Sequence, residues 1–234
     1  MKQISATRLE TAVSSIAAEI SSQLSRAPKV QPQELGLWAE LSCCILSSQV
    51  PYDLARAASQ RIVESGAFGS DGSLTEDILR SQLFCNLSAP VAVGGTFRRY
   101  RFPQRRADQL ASTFCIVHQK FGSLGQLLRC YPDARSTRAW MVKNMQGIGP
   151  KQASMFLRNV AVSYDLAIID RHVRRYVYLI GLADNDVGVA SVREYEEWEA
   201  KLREYSATTM ACPLGVLDWA IWIVMRAASR IGCQ

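Results

Sequence analysis

Two glycines and a proline lie close together near the middle of the chain, in the segment Gln146–Lys151 with the sequence QGIGPK. Apolar residues recur at helical spacing on both sides of this segment, which predicts a helix before it and another after it. Gly147 and Gly149 are expected to adopt backbone conformations closed to other residues, and Pro150 suits a first helical turn, where its missing N–H would have no partner. The segment is therefore predicted to be a tight hairpin between two helices.

The backbone amides of Gly147, Ile148 and Gly149 are predicted to form a phosphate-binding site, because free amides at a helix N-terminus favour an anion. Lys151 lies in the first turn of the second helix, where the helix dipole opposes a cation. Two interpretations follow. Lys151 is a solvated side chain or a phosphate contact, or it is a nucleophile for imine chemistry, because the dipole and partial burial favour the neutral amine.

An apolar segment, Leu166–Ile169, precedes Asp170, and a new helical pattern follows it in the sequence LAIIDRHV. An aspartate at this place is typical of a helix N-cap, because its carboxylate accepts hydrogen bonds from the first free amides. Taken alone, Asp170 is structural. The combination of GIGPK with IDRH nineteen residues later favours a functional interpretation.

The segments GIGPKQASMFLRN and AIIDRHV resemble the helix-hairpin-helix (HhH-GPD) glycosylase superfamily of base-excision DNA repair. Within it they look most like the short type of 8-oxoguanine DNA glycosylase/AP lyase, and the similarity extends from about Leu35 to the C-terminus. Lys151 matches the nucleophile of that family and Asp170 its essential acid. The resemblance implies that a damaged base is flipped out and excised through a Lys Schiff base, followed by strand cleavage by β-elimination.

The fold is predicted to be all-α, because no sustained two-residue alternation of apolar and polar residues occurs. The resemblance implies a single two-lobed domain over residues 1–234 whose lobes meet at a cleft near the hairpin. Lobe A is expected to contain residues 34–160, and lobe B residues 1–33 and 161–234. An apolar content of 48% in 234 residues argues against disorder.

The net charge of +6 and a pI near 9.0 favour a polyanionic partner, which the resemblance identifies as double-stranded DNA with a damaged base. We expect a cytoplasmic, nucleoid-associated monomer with no membrane contact, since residues 1–27 predict an amphipathic helix and no membrane span. Seven cysteines without a CxxC pair are expected to be reduced thiols.

Five arginines and two aromatic residues lie within the nine residues Arg98–Arg106, which we call the arginine-rich segment. Guanidinium groups between aromatic rings suit contact with phosphates and with unpaired bases, and the alternative is a solvated face. Gln49, at the end of a predicted helix over 33–49, is a second candidate contact or an ordinary polar helix end. His118 is predicted to be packed or at the surface rather than a metal ligand. The DNA-binding candidates are Gly147, Ile148, Gly149, Gln49, Arg98, Arg99, Arg101 and His172.

The last predicted helix, residues 214–231, is largely apolar and must be mostly buried. In the similar family this helix borders the base pocket, so Asp218 and Trp219 are candidates to face the damaged base. An aspartate in the first turn of a helix also complements the helix dipole, which is the structural alternative for Asp218.

Two features depart from relatives in the superfamily. Only Cys212 and Cys233 follow the catalytic region, so the spacing excludes the iron–sulfur cluster of enzymes such as endonuclease III. The short 8-oxoguanine enzymes commonly end in a lysine that takes part in base recognition, whereas this chain ends RIGCQ, which leaves the base preference open. No cofactor is expected to be required, although hairpin carbonyls are candidates to hold a monovalent or alkaline-earth cation.

Three other functions compete with excision of 8-oxoguanine. An endonuclease III-like glycosylase for oxidised pyrimidines would keep both Lys151 and Asp170, and a monofunctional glycosylase would lack the lysine. A noncatalytic helix-hairpin-helix module that only binds DNA would need the glycines but would have no reason to combine Lys151 with Asp170.

Overall fold

The computed structural model describes residues 5–26, 32–69 and 75–231. These residues form α-helices joined by short loops, with one small sheet, so the prediction of an all-α fold is confirmed. A single turn of π-helix, Ser206–Met210, extends the tenth α-helix. The elements are α1 Ala6–Arg26, α2 Glu34–Leu46, α3 Tyr52–Glu64, α4 Glu76–Ser88, β1 Val91–Val93, β2 Thr96–Arg98, α5 Pro103–Phe121, α6 Leu124–Cys130, α7 Ala134–Asn144, α8 Pro150–Asn159, α9 Arg171–Leu179, α10 Val192–Tyr205 and α11 Leu214–Ile231.

The chain divides into two compact units. The first, residues 31–162, contains α2 to α8 and the sheet, and we call it the hairpin unit. The second, residues 1–30 with 163–234, contains α1 and α9 to α11, and we call it the terminal unit.

The hairpin unit is built around Trp38 of α2, whose side chain is fully buried. The ring centroid of Trp38 lies 5.1 Å from that of Phe68 and 5.0 Å from that of Phe114. His118 belongs to the same cluster, and its ring centroid lies 4.1 Å from that of Phe114. His118 is therefore packed, which is one of the two placements that the sequence predicted for it. Glu34 joins α2 to α6, because its carboxylate accepts the amides of Leu124 and Gly125 at 2.6 and 3.0 Å.

The terminal unit is built around the packing of α1 on α11. The buried residues of α1 recur every three or four positions, which is the stripe expected of an amphipathic helix with one face in a core. Helix α11 supplies a largely apolar surface to the same core. The buried residues of α1 are Leu9, Val13, Ala17 and Ile20.

The antiparallel hairpin of β1 and β2 was not predicted from the sequence. Its strands have three residues each, too short for an alternating pattern to be recognised, and they pair Val91 with Arg98 and Val93 with Thr96. Gly94 and Gly95 form the turn with φ values of +57° and +80°. Two successive positive φ angles are the geometry of the tight turns that join paired strands.

Within the described ranges, no single helix is long and apolar enough to span a membrane. One bent pair, residues 192–210 and 214–229, reaches that length and composition only when its two members are combined across an 86° bend.

Candidate functional site

The central motif folds as predicted, with α7, a tight hairpin and α8 in succession. Gly147 has a φ of +78°, a conformation that favours glycine, and Pro150 is the first residue of α8. The prediction for Gly149 was wrong. Its φ of −102° and ψ of 178° are extended backbone that any residue adopts, because it serves as the N-cap of α8.

One hairpin amide already has a partner within the chain. The Gly149 N–H donates to the Oε1 atom of Gln152 at 3.3 Å, on the first turn of α8. The Ile148 side chain is buried, so only its backbone is available to a ligand. The expectation of bare amides is therefore wrong for Gly149, whose N–H is covered by a flexible side chain.

Lys151 is the second residue of α8 and is partly buried. Among the residues that the structure describes, its ammonium group has neither a hydrogen bond nor an ion pair. Helix α8 itself is firmly held. Arg138 of α7 donates to Ser154 Oγ at 3.1 Å in the buried interior, and Asn159 donates to Glu40 of α2 at 2.6 Å.

Asp170 is the N-cap of α9, as the sequence predicts. Its Oδ1 atom accepts the amides of His172 and Val173 at 2.8 and 2.9 Å. No partner of Oδ2 is found in the described part of the chain. One oxygen therefore fixes the carboxylate to the helix, and the other is available for chemistry.

The segment Leu166–Ile169, which leads to Asp170, is buried and has no neighbouring strand among the described residues. Its amides instead donate to side chains of α10 and α11. The acceptors are Glu199 Oε1 for Ala167 (2.9 Å), Asp218 Oδ2 for Ile168 (2.7 Å) and Tyr195 OH for Ile169 (3.2 Å).

Sequence reasoning missed Tyr195 and Glu199. They are four residues apart on α10, so they lie on one face of it, and both side chains are buried. The available signal was a glutamate on the apolar side of an amphipathic helix, which a hydrophobic pattern does not separate from an ordinary surface glutamate.

The side chain of Asp218 accepts the backbone amide of Ile168, and the residue is only 3% exposed. Because α11 begins at Leu214, Asp218 lies beyond the first helical turn, and the proposed dipole role was wrong. Trp219 is partly exposed on the same helix. Trp222 is exposed to a similar extent, and the guanidinium of Arg226 lies 4.8 Å from its ring, a pair that the sequence interpretation did not single out.

The arginine-rich segment divides into exposed and buried parts. Arg98, Arg99 and Arg101 are exposed, as a contact surface requires. Arg106 is 5% exposed, and its guanidinium donates to Gln109 Oε1 at 2.6 Å and to the Ser48 carbonyl at 3.1 Å. The inclusion of Arg106 in a phosphate-binding cluster was therefore wrong.

The aromatic residues of this region also differ from the expectation. Tyr100 is buried and donates from its hydroxyl to the Leu46 carbonyl at 2.7 Å, so its ring cannot stack on a base. Phe97 of β2, just before the arginines, is instead 79% exposed. A single exposed apolar ring is common on protein surfaces, so Phe97 becomes a candidate for contact with a base only because exposed arginines follow it in the sequence.

Two further DNA-binding candidates lie in different units. Gln49 is exposed and has a φ of +63°, three residues after α2 ends at Leu46, so it belongs to a strained turn and not to a helix end. His172 lies in the first turn of α9, and its backbone amide is capped by Asp170. No group of three or more His, Cys, Asp or Glu side chains that could hold a metal ion occurs in the described residues.

A family model described as 8-oxoguanine DNA glycosylase matches residues 23–211. The 8-oxoguanine DNA glycosylase/AP lyase of Thermotoga maritima is 30% identical over 192 residues, which are 71% of this chain and 88% of that protein. The enzyme of the same name from Methanocaldococcus jannaschii is 33% identical over 123 residues, which are 53% of this chain and 56% of that protein. This second sequence match therefore spans just over half of the relative's length.

Solved structures agree with the sequence comparisons. The crystal structure of the Thermotoga maritima 8-oxoguanine DNA glycosylase superimposes with a TM-score of 0.68 and 26% identity, covering 93% of this chain and 95% of that one. The Methanocaldococcus jannaschii 8-oxoguanine glycosylase/lyase, in complex with 15mer DNA containing 8-oxoguanine, superimposes with a TM-score of 0.61 and 25% identity, covering 90% and 87%.

Proposed function

The chain belongs to the 8-oxoguanine DNA glycosylase family, and we propose that it excises 8-oxoguanine from double-stranded DNA and then cleaves the strand as an AP lyase. The observation that carries this proposal is Lys151, placed on the first turn of α8 directly after the glycine hairpin, with an amine that no described residue engages. A noncatalytic hairpin that only binds DNA would have no reason to combine this amine with Asp170.

In the proposed reaction, Nζ of Lys151 attacks C1′ of the damaged nucleoside. A C–N bond to the lysine forms as the glycosidic bond breaks, and the electron pair of that bond leaves with the base, which takes up a proton. Opening of the sugar ring gives a protonated imine. Loss of a proton from C2′ then expels the 3′ phosphate, so the strand is cut by β-elimination.

Asp170 is proposed to stabilise the positive charge that develops on the sugar and to accept a proton from the lysine amine. Its cap geometry supports the first of these roles. Because Oδ1 is engaged by the amides of His172 and Val173, the carboxylate is held in one orientation while Oδ2 remains available. A group fixed before the reaction begins stabilises charge without reorganisation.

The hairpin, the exposed arginines and Phe97 are proposed to contact DNA. Phosphate oxygens are stronger acceptors than a neutral carboxamide, so a bound phosphate would displace Gln152 from the Gly149 amide. Arg98, Arg99 and Arg101 are proposed to neutralise phosphates, and the ring of Phe97 to stack on a base exposed when the damaged nucleotide is extruded.

The base pocket is proposed to include Trp219, whose ring is partly exposed on α11, and Asp218 next to it in sequence. One oxygen of Asp218, Oδ2, accepts the Ile168 amide at 2.7 Å, so the proposed contact with the base would be made by a residue already held in place. The carbonyls of Gln146, Gly147 and Ile148 accept no hydrogen bond from the described residues, so they fit the expected cation site. A cation bound there would supply positive charge near a phosphate.

The test is incision of a panel of duplexes carrying 8-oxoguanine, an oxidised pyrimidine, an abasic site or no damage, with borohydride added to trap an imine. We expect a covalent complex and 3′ incision on the 8-oxoguanine duplex. Incision confined to oxidised pyrimidines would favour an endonuclease III-like activity. Binding without incision or trapping of any duplex would favour a noncatalytic module.

A further inference from the structure

We propose that Tyr195, Glu199 and Asp218 are positioning residues. They hold Asp170 in the position that base excision requires and so determine the rate of excision. We call these three side chains the amide clamp. The proposal rests on the proposed function, in which the Asp170 carboxylate acts on the damaged nucleotide.

The amide clamp accepts hydrogen bonds from successive amides of the segment that leads to Asp170. Glu199 accepts the N–H of Ala167, and Asp218 accepts the N–H of Ile168. Tyr195 contacts the segment twice, because its hydroxyl accepts the Ile169 amide at 3.2 Å and donates to the Ala167 carbonyl at 2.7 Å. Three residues in a row are thus fixed by side chains from two helices.

Burial of carboxylates as acceptors costs more free energy than a loop with only a structural role would require. Buried amides need acceptors, but a neighbouring strand or neutral side chains would satisfy them. Here the acceptors belong to Glu199 and Asp218, residues that are 4% and 3% exposed, and burial of a carboxylate carries a desolvation cost. Hydrogen bonds to carboxylates are shorter and stronger than neutral ones, so the segment is held more rigidly than satisfaction of its amides requires.

This rigidity reaches the carboxylate of Asp170 through the backbone. Asp170 follows Ile169 directly, and its own N–H donates to the Ile168 carbonyl at 2.9 Å. A shift of the segment would therefore move the cap and the orientation of Oδ2 together. Displacement of a catalytic group by about 1 Å can lower a rate by roughly 100-fold.

Tyr195→Phe is the sharpest test, because it deletes one hydroxyl and two clamp contacts while keeping the ring. Tyr205→Phe is the matched control. Tyr205 is also a buried tyrosine of α10, but its hydroxyl bonds to Tyr176 at 2.9 Å and to Glu10 at 3.0 Å, away from the segment. The two variants should lose similar amounts of stability.

We expect Tyr195→Phe to lower kcat for 8-oxoguanine excision about 10- to 100-fold with an unchanged KM for DNA, and Tyr205→Phe to stay within about twofold of the wild type. Glu199→Gln, which keeps an acceptor oxygen, should cause a smaller loss of kcat, and Glu196→Gln, an exposed neighbour on α10, should cause none. Equal kcat values for Tyr195→Phe and Tyr205→Phe would overturn the proposal.

Amide hydrogen exchange gives a readout that does not need catalysis. In Tyr195→Phe, exchange should become faster at Ile169 and also at His172 and Val173, whose amides Asp170 caps. Unchanged exchange at His172 and Val173 would overturn the clamp even if the enzyme is active. Faster exchange there in a protein whose wild type excises no base would support the clamp and overturn the proposed function.

Discussion

The carboxamide of Gln109 occupies the space in which a Cβ atom at position 147 would lie, with its three outer atoms 2.4 to 2.6 Å from that point. Gln109 cannot easily move away, because it is buried and accepts a hydrogen bond from Arg106 at 2.6 Å. Arg106 also holds the Ser48 carbonyl in the turn after α2. Gly147 is therefore required by packing as well as by its backbone conformation.

Gly147→Ala should destabilise the protein by roughly 2 to 4 kcal/mol, because it combines a left-handed backbone with a clash in a packed site. Gly149→Ala is the matched control. A Cβ there would meet only the Gln152 side chain at 3.3 Å, and the φ of −102° is ordinary, so the cost should be below about 1 kcal/mol. Urea unfolding measures both values, and equal losses would contradict this explanation.

Local features of the site were predictable from the sequence. The cap at Asp170 and the break before Pro150 depend on a few neighbouring residues whose conformational preferences are strong. The prediction for Gly149 gave its freedom as a glycine too much weight, because the residue before a proline is restricted to extended backbone, and its ψ of 178° follows that restriction.

Contacts between distant residues were not predictable. The arginine-rich segment is uniform in composition, but it passes from a strand into a helix, and this change turns Arg106 inward while Arg98 stays in solvent. Glu199 accepts a hydrogen bond from Ala167, which is 32 residues away in the sequence, and no local sequence pattern predicts such a pair. The catalytic candidates could be inferred, but the residues that hold them in place could not.

His118 should make stability depend on pH. Burial lowers the pKa of its imidazole below the usual 6.5, and Glu34 opposes only part of this effect. Between the lowered pKa and about 6.5 the unfolded chain binds more protons than the folded one, so the free energy of unfolding falls as pH falls through that range.

Replacement of His118 by Phe removes the titrating group and should flatten this part of the pH profile, measured by urea unfolding between about pH 5 and 7. Phe114→Leu loosens the same aromatic cluster without removing a charge, so its profile should run parallel to that of the wild type. A His118→Phe profile as steep as the wild type would show that other groups cause the dependence.

Lys151→Gln should abolish borohydride trapping on 8-oxoguanine DNA, because it removes the amine proposed to form the imine. Binding to the damaged duplex should persist, since the hairpin amides and the exposed arginines remain. Lys143→Gln, at an exposed lysine of α7, should trap as the wild type does. A covalent complex with Lys151→Gln would mean that another amine is the nucleophile.

Asp170→Asn should fold normally and turn over poorly. The amide oxygen of asparagine can still accept the His172 and Val173 amides, so α9 keeps its cap. Loss of the negative charge should lower kcat roughly 100-fold or more, on the scale of a lost electrostatic stabiliser. Single-turnover excision measures the rate and thermal unfolding checks the fold, and a variant with nearly normal turnover would contradict the proposed role.

Replacement of Arg98, Arg99 and Arg101 together by Ala should weaken binding to damaged and undamaged duplexes alike. Removal of one arginine–phosphate interaction should reduce the slope of log K against log salt by about 0.9, so the slope should fall by up to about 3 in the triple variant. Titrations by fluorescence anisotropy at several salt concentrations measure this slope. Arg193→Ala, at an exposed arginine of α10, is the control and should leave it unchanged.

Arg106→Ala should lower stability and leave the salt dependence of DNA binding unchanged. This outcome would distinguish the buried part of the arginine-rich segment from the exposed part. Because Arg106 is buried and holds both Gln109 and the Ser48 carbonyl, its loss leaves those acceptors unsatisfied and should lower the free energy of unfolding by roughly 1 to 3 kcal/mol. The folded fraction should keep the salt slope of the wild type. A reduced slope with normal stability would place Arg106 at the DNA backbone after all.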